Sequence, residues 1–395
     1  MLIIDAHLDL AWNALQWNRD LLGSVYTIRT QENRTPGQGR TLGTVALPEM
    51  GEGRVALCFA TLLARSTGKP SPHIDYGSPA QAFGIARGQL AYYQALERED
   101  YIRIITNRVE LDHHMSEWET WDLANPVGSS LPPPTSLEAE PRSEQDELSE
   151  DEAFPPPLGL VISMESADPI LSPDELLEWW EAGLRVVGPA HYGPGRYAGG
   201  TSTELGLTDL GVALLAKMEW LGMILDLTHL SDQAFWQALE AYQGPVLASH
   251  NNCRALVPHQ RQFSDEQLKA IFERDGVIGA AFDTWMLQPG WIIGQSTNER
   301  VMLANVVDHI DHICQLAGNT HHAALGTDLD GGFGRDQSPR DLDTIADLQK
   351  LIGLLAGRGY QDDDIAAIMH GNWLRLLRQS WGGLEVVQTD TDGLR

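Results

Sequence analysis

Short apolar runs and longer amphipathic stretches alternate along most of this chain. The apolar runs predict buried strands, and the stretches with apolar residues at helical spacing predict helices. A weak run at residues 101–105 is interpreted as an accessory strand, which leaves eight main strands. These are predicted at residues 2–4, 54–63, 158–164, 184–187, 223–227, 246–248, 277–282 and 323–326.

Helix signals lie between these runs. Thr208 is placed to cap a helix that ends at Gly222, Ser231 is placed to cap the next one, and Ser264 forms a capping box with Gln267. Ser172 begins another capping box, with proline at the first helical position, and residues 362–377 have the pattern of an amphipathic helix. Eight parallel strands that alternate with helices form a (β/α)8 TIM barrel, since right-handed crossovers make closure natural. We therefore expect an α/β protein with one barrel domain over residues 1–395.

Two stretches interrupt this pattern. Residues 20–53 are polar and Gly-rich without periodicity, so they predict a long loop over the barrel mouth or its rim. Residues 115–157 contain two Pro-Pro-Pro runs with many Asp and Glu between them, and they cannot bury enough surface to offset the entropy of ordering. Because strands and helices continue on both sides, we expect an exposed insertion within the domain.

Charge and cysteine content narrow the range of partners. The net charge of −28 and the pI near 4.7 argue against nucleic acid or an anionic membrane surface, because both would be repelled. Three cysteines without CxxC spacing favour a reducing compartment over a disulfide framework. The chain starts at MLIIDAH without a signal-peptide pattern, and it has no apolar run of membrane-spanning length. We expect a soluble, cytoplasmic protein.

Polar side chains with metal-binding or proton-transfer chemistry follow the predicted strands. In a parallel barrel the C-terminal ends of the strands meet at one mouth, where ligands bind. A structural explanation would need a separate coincidence at each strand. The residues at or just after these ends are His7, Asp9, Glu165, His191, His229, His250 and Asp328.

The residue types in this set indicate a metal centre. Imidazoles and carboxylates without a thiolate suit zinc or a related first-row metal. His7, Asp9, Glu165, His229 and His250 outnumber the ligands that a single catalytic zinc takes from a protein. We therefore expect two metals, with Glu165 as the bridging carboxylate because its strand lies between the two groups. Such a pair holds a water with a lowered pKa, as a hydrolase requires.

Several segments carry a family resemblance: DAHLDL at residues 5–10, Glu165 at its strand end, LDLTHLS at 225–231, SHNNCRAL at 249–256, GTDLDG at 326–331 and GNWLR at 371–375. In this order they resemble the membrane (renal) dipeptidase family, peptidase family M19, a branch of the amidohydrolase-like barrels. The resemblance spans nearly the whole chain apart from residues 115–157. It implies two Zn²⁺ ions bridged by Glu165 and a water or hydroxide. His7 and Asp9 would complete the ligands of one metal, and His229 and His250 those of the other.

The resemblance also implies roles outside the metal ligands. His191 matches the histidine that contacts the substrate carbonyl and the developing oxyanion, and Arg261 matches the arginine that pairs with the substrate's C-terminal carboxylate. Asp328 matches the carboxylate that takes the proton of the bridging water and passes it to the leaving amine. These roles suit the residue types, because arginine binds carboxylates in a bidentate manner and a carboxylate can accept a proton. The implied substrate is a dipeptide with a free C-terminal carboxylate, and the implied assembly is a homodimer.

Departures from the family pattern bear on specificity. Ser166 follows Glu165 where the family commonly has glycine, and residues 283–298 and the acidic insertion have no clear match. Asp226 and Asp330 are interpreted as supporting residues and not as catalytic ones.

Two other functions stay open. One is a different binuclear-metal amidohydrolase, acting on a cyclic amide, a lactone or an N-acyl amino acid. A carboxylate-binding role of Arg261 would distinguish a dipeptidase from it. The other is a barrel that has lost catalysis and serves as a binding or scaffold protein, which predicts that no metal binds.

Overall fold

In the part of the chain that the structure describes, nine parallel strands form one sheet, and eight of them close into a barrel. The computed structural model describes residues 1–126 and 154–382. The strands are β1 (Ile3–Leu8), β2 (Val55–Leu63), β3 (Ile102–Ile104), β4 (Leu158–Glu165), β5 (Leu184–Gly188), β6 (Ile224–Asp226), β7 (Val246–Ala248), β8 (Val277–Ala280) and β9 (Ala323–Leu325). The order around the barrel is β2-β1-β9-β8-β7-β6-β5-β4, and pairing of β2 with β4 completes the ring. The accessory β3 pairs only with the start of β4. The predicted TIM barrel is thereby confirmed.

Helices connect the strands, and most predicted caps are present. Thr208, Ser231 and Ser264 each accept the backbone N–H of the third residue of their helix. A capping box predicted at Ser172 is wrong, because its side chain makes no cap and Pro173–Glu175 is a 3-10 turn. None of the helices in the described residues is both long and apolar enough to cross a membrane. The α-helices are α1 (Leu10–Gln16), α2 (Val25–Gln31), α3 (Leu47–Glu52), α4 (Pro79–Arg98), α5 (Arg108–Ala124), α6 (Leu176–Glu181), α7 (Asp209–Leu221), α8 (Asp232–Ala241), α9 (Asp265–Glu273), α10 (Thr284–Leu287), α11 (Leu303–Ala317), α12 (Lys350–Gly357), α13 (Asp362–Ala366) and α14 (Asn372–Trp381).

The long loop predicted at residues 20–53 is wrong, because this stretch contains α2 and α3. Ser24 caps α2, and charged residues that look like surface residues in the sequence are paired inside the protein. Arg19 is 3% exposed, and its guanidinium lies 2.9 Å from Glu32 and 3.0 Å from Asp330. The polar composition of this segment predicts a loop, but ion pairs between residues that are distant in sequence hold the segment in a packed arrangement.

The insertion predicted at residues 115–157 begins inside α5. Trp118 and Trp121 of that helix are buried, and residues 154–157 lead directly into β4. Residues 127–153 lie outside the described part of the chain. The exposed insertion therefore stays a prediction.

The alternation of side chains along β4 directs Glu165 into the barrel. Leu160 and Met164 pack in the outer core between strands and helices, whereas Val161 belongs to the inner core. Because alternate residues of a strand share a face, Glu165 lies on the inner face with Val161. Register with β2 places Leu63 beside Glu165 at the C-terminal end of both strands.

The amphipathic helix predicted at residues 362–377 is present but divided. A π-helical turn, Ala367–Gly371, separates α13 from α14. Directly after this turn the Trp373 side chain enters the inner core, where its Nε1 donates to the carbonyl oxygen of Leu325 at 2.9 Å. This indole therefore anchors the C-terminal helix to the barrel strand that precedes Asp328.

Candidate metal centre

The structure brings the predicted site residues together at the C-terminal ends of the barrel strands. Asp9, Glu165, His191, His229, Arg261 and Asp328 line one cavity of about 400 Å³. His7 and His250 lie against it, with Nε2 atoms 3.8 Å and 3.3 Å from Glu165 carboxylate oxygens. Residues from six strand ends thus meet in one place, as the barrel topology requires.

Glu165 lies at the centre of this cluster. Its Oε1 is 3.1 Å from Nε2 of His229 and 3.3 Å from Nε2 of His250. Among the described residues there are three groups in which the ligand atoms lie within 4.8 Å of one another. They are His7 with Asp9 and Glu165, Glu165 with His229 and His250, and His7 with His250 and Asp328. The first two are the ligand sets that the resemblance implies, and they share Glu165.

Three residues of the site have left-handed backbone conformations. The φ angles of Ser166, His229 and Asp328 are 71°, 67° and 58°. Such conformations cost about 1–3 kcal/mol each in non-glycine residues and cluster at functional sites. At position 166 this conformation favours glycine, which gives a physical reason for the glycine common in the family.

Hydroxyl groups fix the tautomers of two histidines. The Ser249 hydroxyl donates to Asp226 Oδ2 at 2.5 Å, so it accepts from Nδ1–H of His250 at 2.9 Å. The Thr201 hydroxyl donates to the His229 carbonyl oxygen at 3.2 Å and accepts from Nδ1–H of His229 at 3.0 Å. Both Nε2 atoms therefore direct a lone pair at Glu165, the arrangement seen around metal-ligating histidines. Asp226 is thus in the supporting position predicted for it.

Two further buried carboxylates, Asp5 and Asp330, connect residues near the start of the chain with residues that follow β9. Asp5 in β1 accepts the N–H of His7 at 3.1 Å and both the N–H and the hydroxyl of Thr327. Asp330 accepts the N–H of Thr44 and the guanidinium of Arg19. These contacts hold the β1 and β9 ends, which carry His7, Asp9 and Asp328, in one arrangement.

Without bound cations this cluster is electrostatically unfavourable. Burial raises the pKa of Asp9 to about 7. Burial first, and then repulsion from neighbouring carboxylates, raises the pKa values of Glu165 and Asp328 well above their usual range. Burial lowers the pKa of His7 to about 3, so its imidazole is neutral near pH 7. In the described chain no lysine or arginine forms an ion pair with these three carboxylates.

Two buried atoms of the cluster have no hydrogen-bond partner: His7 Nε2 and Asp9 Oδ1. An unpaired buried polar atom is costly unless something occupies its lone pair. Neutral imidazoles and carboxylates gathered around such atoms are the donor set that first-row divalent cations take. The residues present therefore fit a metal centre.

Arg261 lies at the wall of the same cavity and is 2% exposed. Its Nη1 donates to Asn251 Oδ1 at 2.6 Å, and its Nη2 donates to the His250 carbonyl oxygen at 2.8 Å. Its Nε is buried without a partner. The guanidinium is thus held by two hydrogen bonds and keeps unused donors.

Several residues that line the cavity were not among the predicted site residues. These are Trp12, Leu63, Arg65, Ile74, Tyr192, Asp283, Trp285, Met286, Gly331 and Gly332. Arg65 follows the end of β2, so the rule that selected the other residues could have found it. Asp283 and Trp285 follow β8 in a stretch without a clear family match. Burial raises the pKa of Asp283 to about 7, against hydrogen bonds from Gln337 that lower it.

The barrel and the donors at its mouth define a class: a metal-dependent hydrolase of the TIM-barrel type. A family model described as membrane dipeptidase (peptidase family M19) matches residues 143–383, more than half of the chain. The chain belongs to this family, which is one of metallopeptidases. This confirms the family that the sequence motifs indicated.

Two relatives are similar to about half of this chain. A stretch of 215 residues is 32% identical to an uncharacterised protein of the pqqA 5′ region of Klebsiella pneumoniae, covering 52% of this chain and 76% of that one. Dipeptidase aclJ of Aspergillus oryzae is 32% identical over 201 residues, 50% of this chain. That match spans 45% of the Aspergillus protein, so the chain covers less than half of its length.

A solved structure shares the fold. It is a metallopeptidase from Rhodobacter sphaeroides, liganded with a phosphinate mimic of the dipeptide L-Ala-D-Ala. Its TM-score is 0.72 and its sequence identity 22%, over 96% of this chain and 99% of that one. At this identity the likeness establishes the barrel architecture alone.

Proposed function

We propose that the protein is a zinc-dependent dipeptidase that hydrolyses dipeptides with a free C-terminal carboxylate. The observation that carries this proposal is the pair of ligand groups that share Glu165. Each group offers three nitrogen or oxygen donors, which is the number that a catalytic zinc takes from a protein. The dipeptidase relatives and the family assignment support the same reaction.

Arg261 is the proposed site for the substrate carboxylate. Its guanidinium is buried, it is fixed by Asn251 and the His250 carbonyl, and its Nε has no partner. A buried donor that is already oriented pairs with a carboxylate without the entropic cost of ordering a long side chain. A dipeptide whose carboxylate binds here would place its peptide bond toward Glu165 and Asp328, which line the same cavity.

The remaining roles follow from position. Two bound cations would supply an activated water at neutral pH and polarise the substrate carbonyl. Asp328 Oδ1 lies 3.7 Å from His7 Nε2, so this carboxylate is close enough to the metal ligands to accept the proton of that water. As the oxygen of this water bonds to the carbonyl carbon and the C–N bond breaks, Asp328 would deliver the proton to the nitrogen of the leaving amine. His191 faces the same carboxylate cluster and is the proposed donor to the carbonyl oxygen as negative charge develops.

The test combines metal analysis with a substrate panel. Purified protein should contain two equivalents of zinc, and it should hydrolyse L-Ala-L-Ala or L-Ala-D-Ala. The same dipeptides with an amidated C-terminus, an N-acyl amino acid and a lactone should react poorly. Protein that binds no metal, or that binds metal without cleaving any dipeptide, contradicts the proposal. Cleavage of the lactone or N-acyl compound alone would favour the other amidohydrolase class.

Replacement of Arg261 tests the carboxylate pairing. Arg261→Ala should raise the KM for a dipeptide by roughly 10- to 10²-fold, since a hydrogen bond to a charged group contributes about 1.5–3 kcal/mol. Arg254→Ala is the matched control, because Arg254 lies in the same segment but is paired with Asp232. An equal loss in both variants would point to a general disturbance of the segment. The homodimer and the cytoplasmic location stay predictions.

A further inference from the structure

Three histidines converge on one oxygen of Glu165. The distances from Oε1 to their Nε2 atoms are 3.1 Å for His229, 3.3 Å for His250 and 3.7 Å for His191. By residue type all three could be metal ligands. They differ in the group that their Nδ1 atoms meet.

A hydroxyl can donate or accept a hydrogen bond, but a guanidinium can only donate. His229 and His250 have hydroxyl partners that accept from Nδ1–H. His191 instead has the guanidinium of Arg65, with Nη1 2.9 Å from its Nδ1. The Nδ1 of His191 must therefore accept, since a hydrogen on that atom would oppose the N–H of Arg65. A neutral His191 then carries its hydrogen on Nε2.

We propose that Arg65 is a positioning residue that holds His191 as the Nε2–H tautomer, so that this imidazole donates to the substrate carbonyl oxygen and does not ligate metal. The inference rests on the proposed function for the identity of the acceptor. The Nε2 atoms of His229 and His250 direct a lone pair at Glu165, whereas that of His191 directs a hydrogen toward the cavity. The hydrogen-bond partner at Nδ1 thus distinguishes the three histidines. Two of them present a lone pair to a metal, and one presents a hydrogen to the substrate.

Arg65 is itself held in place by the loop after β2. Its Nε donates to Asp75 Oδ2 at 3.1 Å, and its backbone bonds to both neighbours of Asp75 along the chain. Asp75 is 4% exposed and also accepts the N–H and the hydroxyl of Thr67. The guanidinium is therefore fixed at Nε before it meets His191, as a positioning role requires.

The tautomer can be observed directly. In protein labelled with ¹⁵N-histidine, ¹H–¹⁵N correlation of the imidazole nitrogens should show the His191 hydrogen on Nε2 in the wild type. The His191 signals are identified by their loss in His191→Gln. Arg65→Met, which keeps a side chain of similar length without a donor, should give a mixture of tautomers. A wild-type His191 with its hydrogen on Nδ1 would overturn the inference, whatever the enzyme hydrolyses.

Kinetics supply the second readout. Arg65→Met should lower kcat for a dipeptide by roughly 10- to 10²-fold, less than the loss of 10²- to 10³-fold typical when such a donor is removed, since His191 remains. KM and metal content should change little. Arg65→Lys should restore part of kcat, because an ammonium also only donates. An Arg65→Met enzyme with wild-type kcat also contradicts the proposal.

A matched control separates positioning from loop stability. Arg196 also bridges segments near the mouth, donating to the carbonyl oxygens of Ile170 and Leu171, but it does not contact His191. Arg196→Met should leave kcat and the His191 tautomer unchanged. If Arg65→Met fails to fold, the wild-type tautomer and the Arg65→Lys kinetics still decide the question. A protein that hydrolyses no dipeptide defeats the proposed function but leaves the tautomer result to be judged separately.

Discussion

Removal of divalent cations should destabilise this protein increasingly as the pH rises from acid to neutral. Without cations, Asp9, Glu165 and Asp328 are buried together, and all three have raised pKa values. Asp9 titrates near 3.8 when unfolded and at about 7 in the folded protein. The stability it contributes is fully present below the unfolded pKa and is lost as the pH rises through the folded pKa. Bound cations keep the carboxylates ionised, so the stability of the cation-loaded protein does not fall in this way as the pH rises.

The pKa shift of Asp9 alone gives a minimum value for this loss of stability. The shift from 3.8 to about 7 corresponds to ~4 kcal/mol, at ~1.4 kcal/mol per pH unit. For a chain of 395 residues with an unfolding entropy of ~2.1 cal/mol/K per residue, this is ~5 °C in Tm. Glu165 and Asp328 add to the effect in the same direction. Equivalently, cation binding in this pH range should release at least one proton.

The assay compares chelator-treated and zinc-loaded protein by thermal melting between about pH 4 and pH 7. The difference in Tm between the two forms should widen as the pH rises, and other titrating groups cancel because both forms contain them. Calorimetric titration with zinc in two buffers of different ionisation enthalpy counts the released protons. Asp9→Asn should reduce both the widening and the proton release. A difference in Tm that stays constant over this range would refute the reasoning, since the carboxylates would then be ionised with or without cations.

Three substitutions test other parts of the site and fold. Asp328→Asn should lower kcat by roughly 10²- to 10⁴-fold, because proton transfer is lost. Mass spectrometry should show an unchanged metal content, and a loss of metal would indicate that Asp328 is a ligand instead. Asp226→Asn should weaken zinc binding by roughly 10- to 100-fold, because the Ser249 hydroxyl loses the carboxylate oxygen that accepts its hydrogen bond. Competition with a chromophoric chelator measures this affinity, and a wild-type value would show that the contact does not orient His250. Trp373→Phe should reduce the unfolding free energy in urea by about 1–3 kcal/mol, because the hydrogen bond to the Leu325 carbonyl is lost and the smaller ring leaves a cavity in the inner core. The kcat value should not change, and an unchanged midpoint would contradict the anchoring role of the indole.

Local signals explain why most of the fold was predictable. Strands such as β2 and β4 are continuous apolar runs because they are buried on both faces, and Thr208, Ser231 and Ser264 lie directly before their helices. The prediction failed at residues 20–53, where the order depends on Arg19 contacting Asp330 far along the chain. It also missed the π-helical turn at Ala367–Gly371, which an amphipathic pattern does not mark.

The candidate metal centre was predictable because, in a parallel barrel, a residue that follows a strand in the sequence also lies at the mouth of the barrel. A residue that follows a strand is delivered to the mouth, so His7, Glu165, His229 and His250 could be grouped before any distance was known. The two hydroxyl groups that contact the imidazoles of His229 and His250 were not predicted in this way. Ser249 is adjacent to His250, but Thr201 is 28 residues from His229, and nothing in the local pattern connects the two.

The sequence by itself determined the barrel, the family and the set of candidate metal-binding residues, because strand periodicity, helix caps and strand-end motifs are local features. Only the tertiary structure decided which tautomer each histidine adopts. That choice depends on whether a hydroxyl or a guanidinium meets Nδ1, and Arg65 and His191 are 126 residues apart. Residue type sets what a side chain can do, but the neighbour supplied by folding determines whether an imidazole presents a lone pair or a hydrogen.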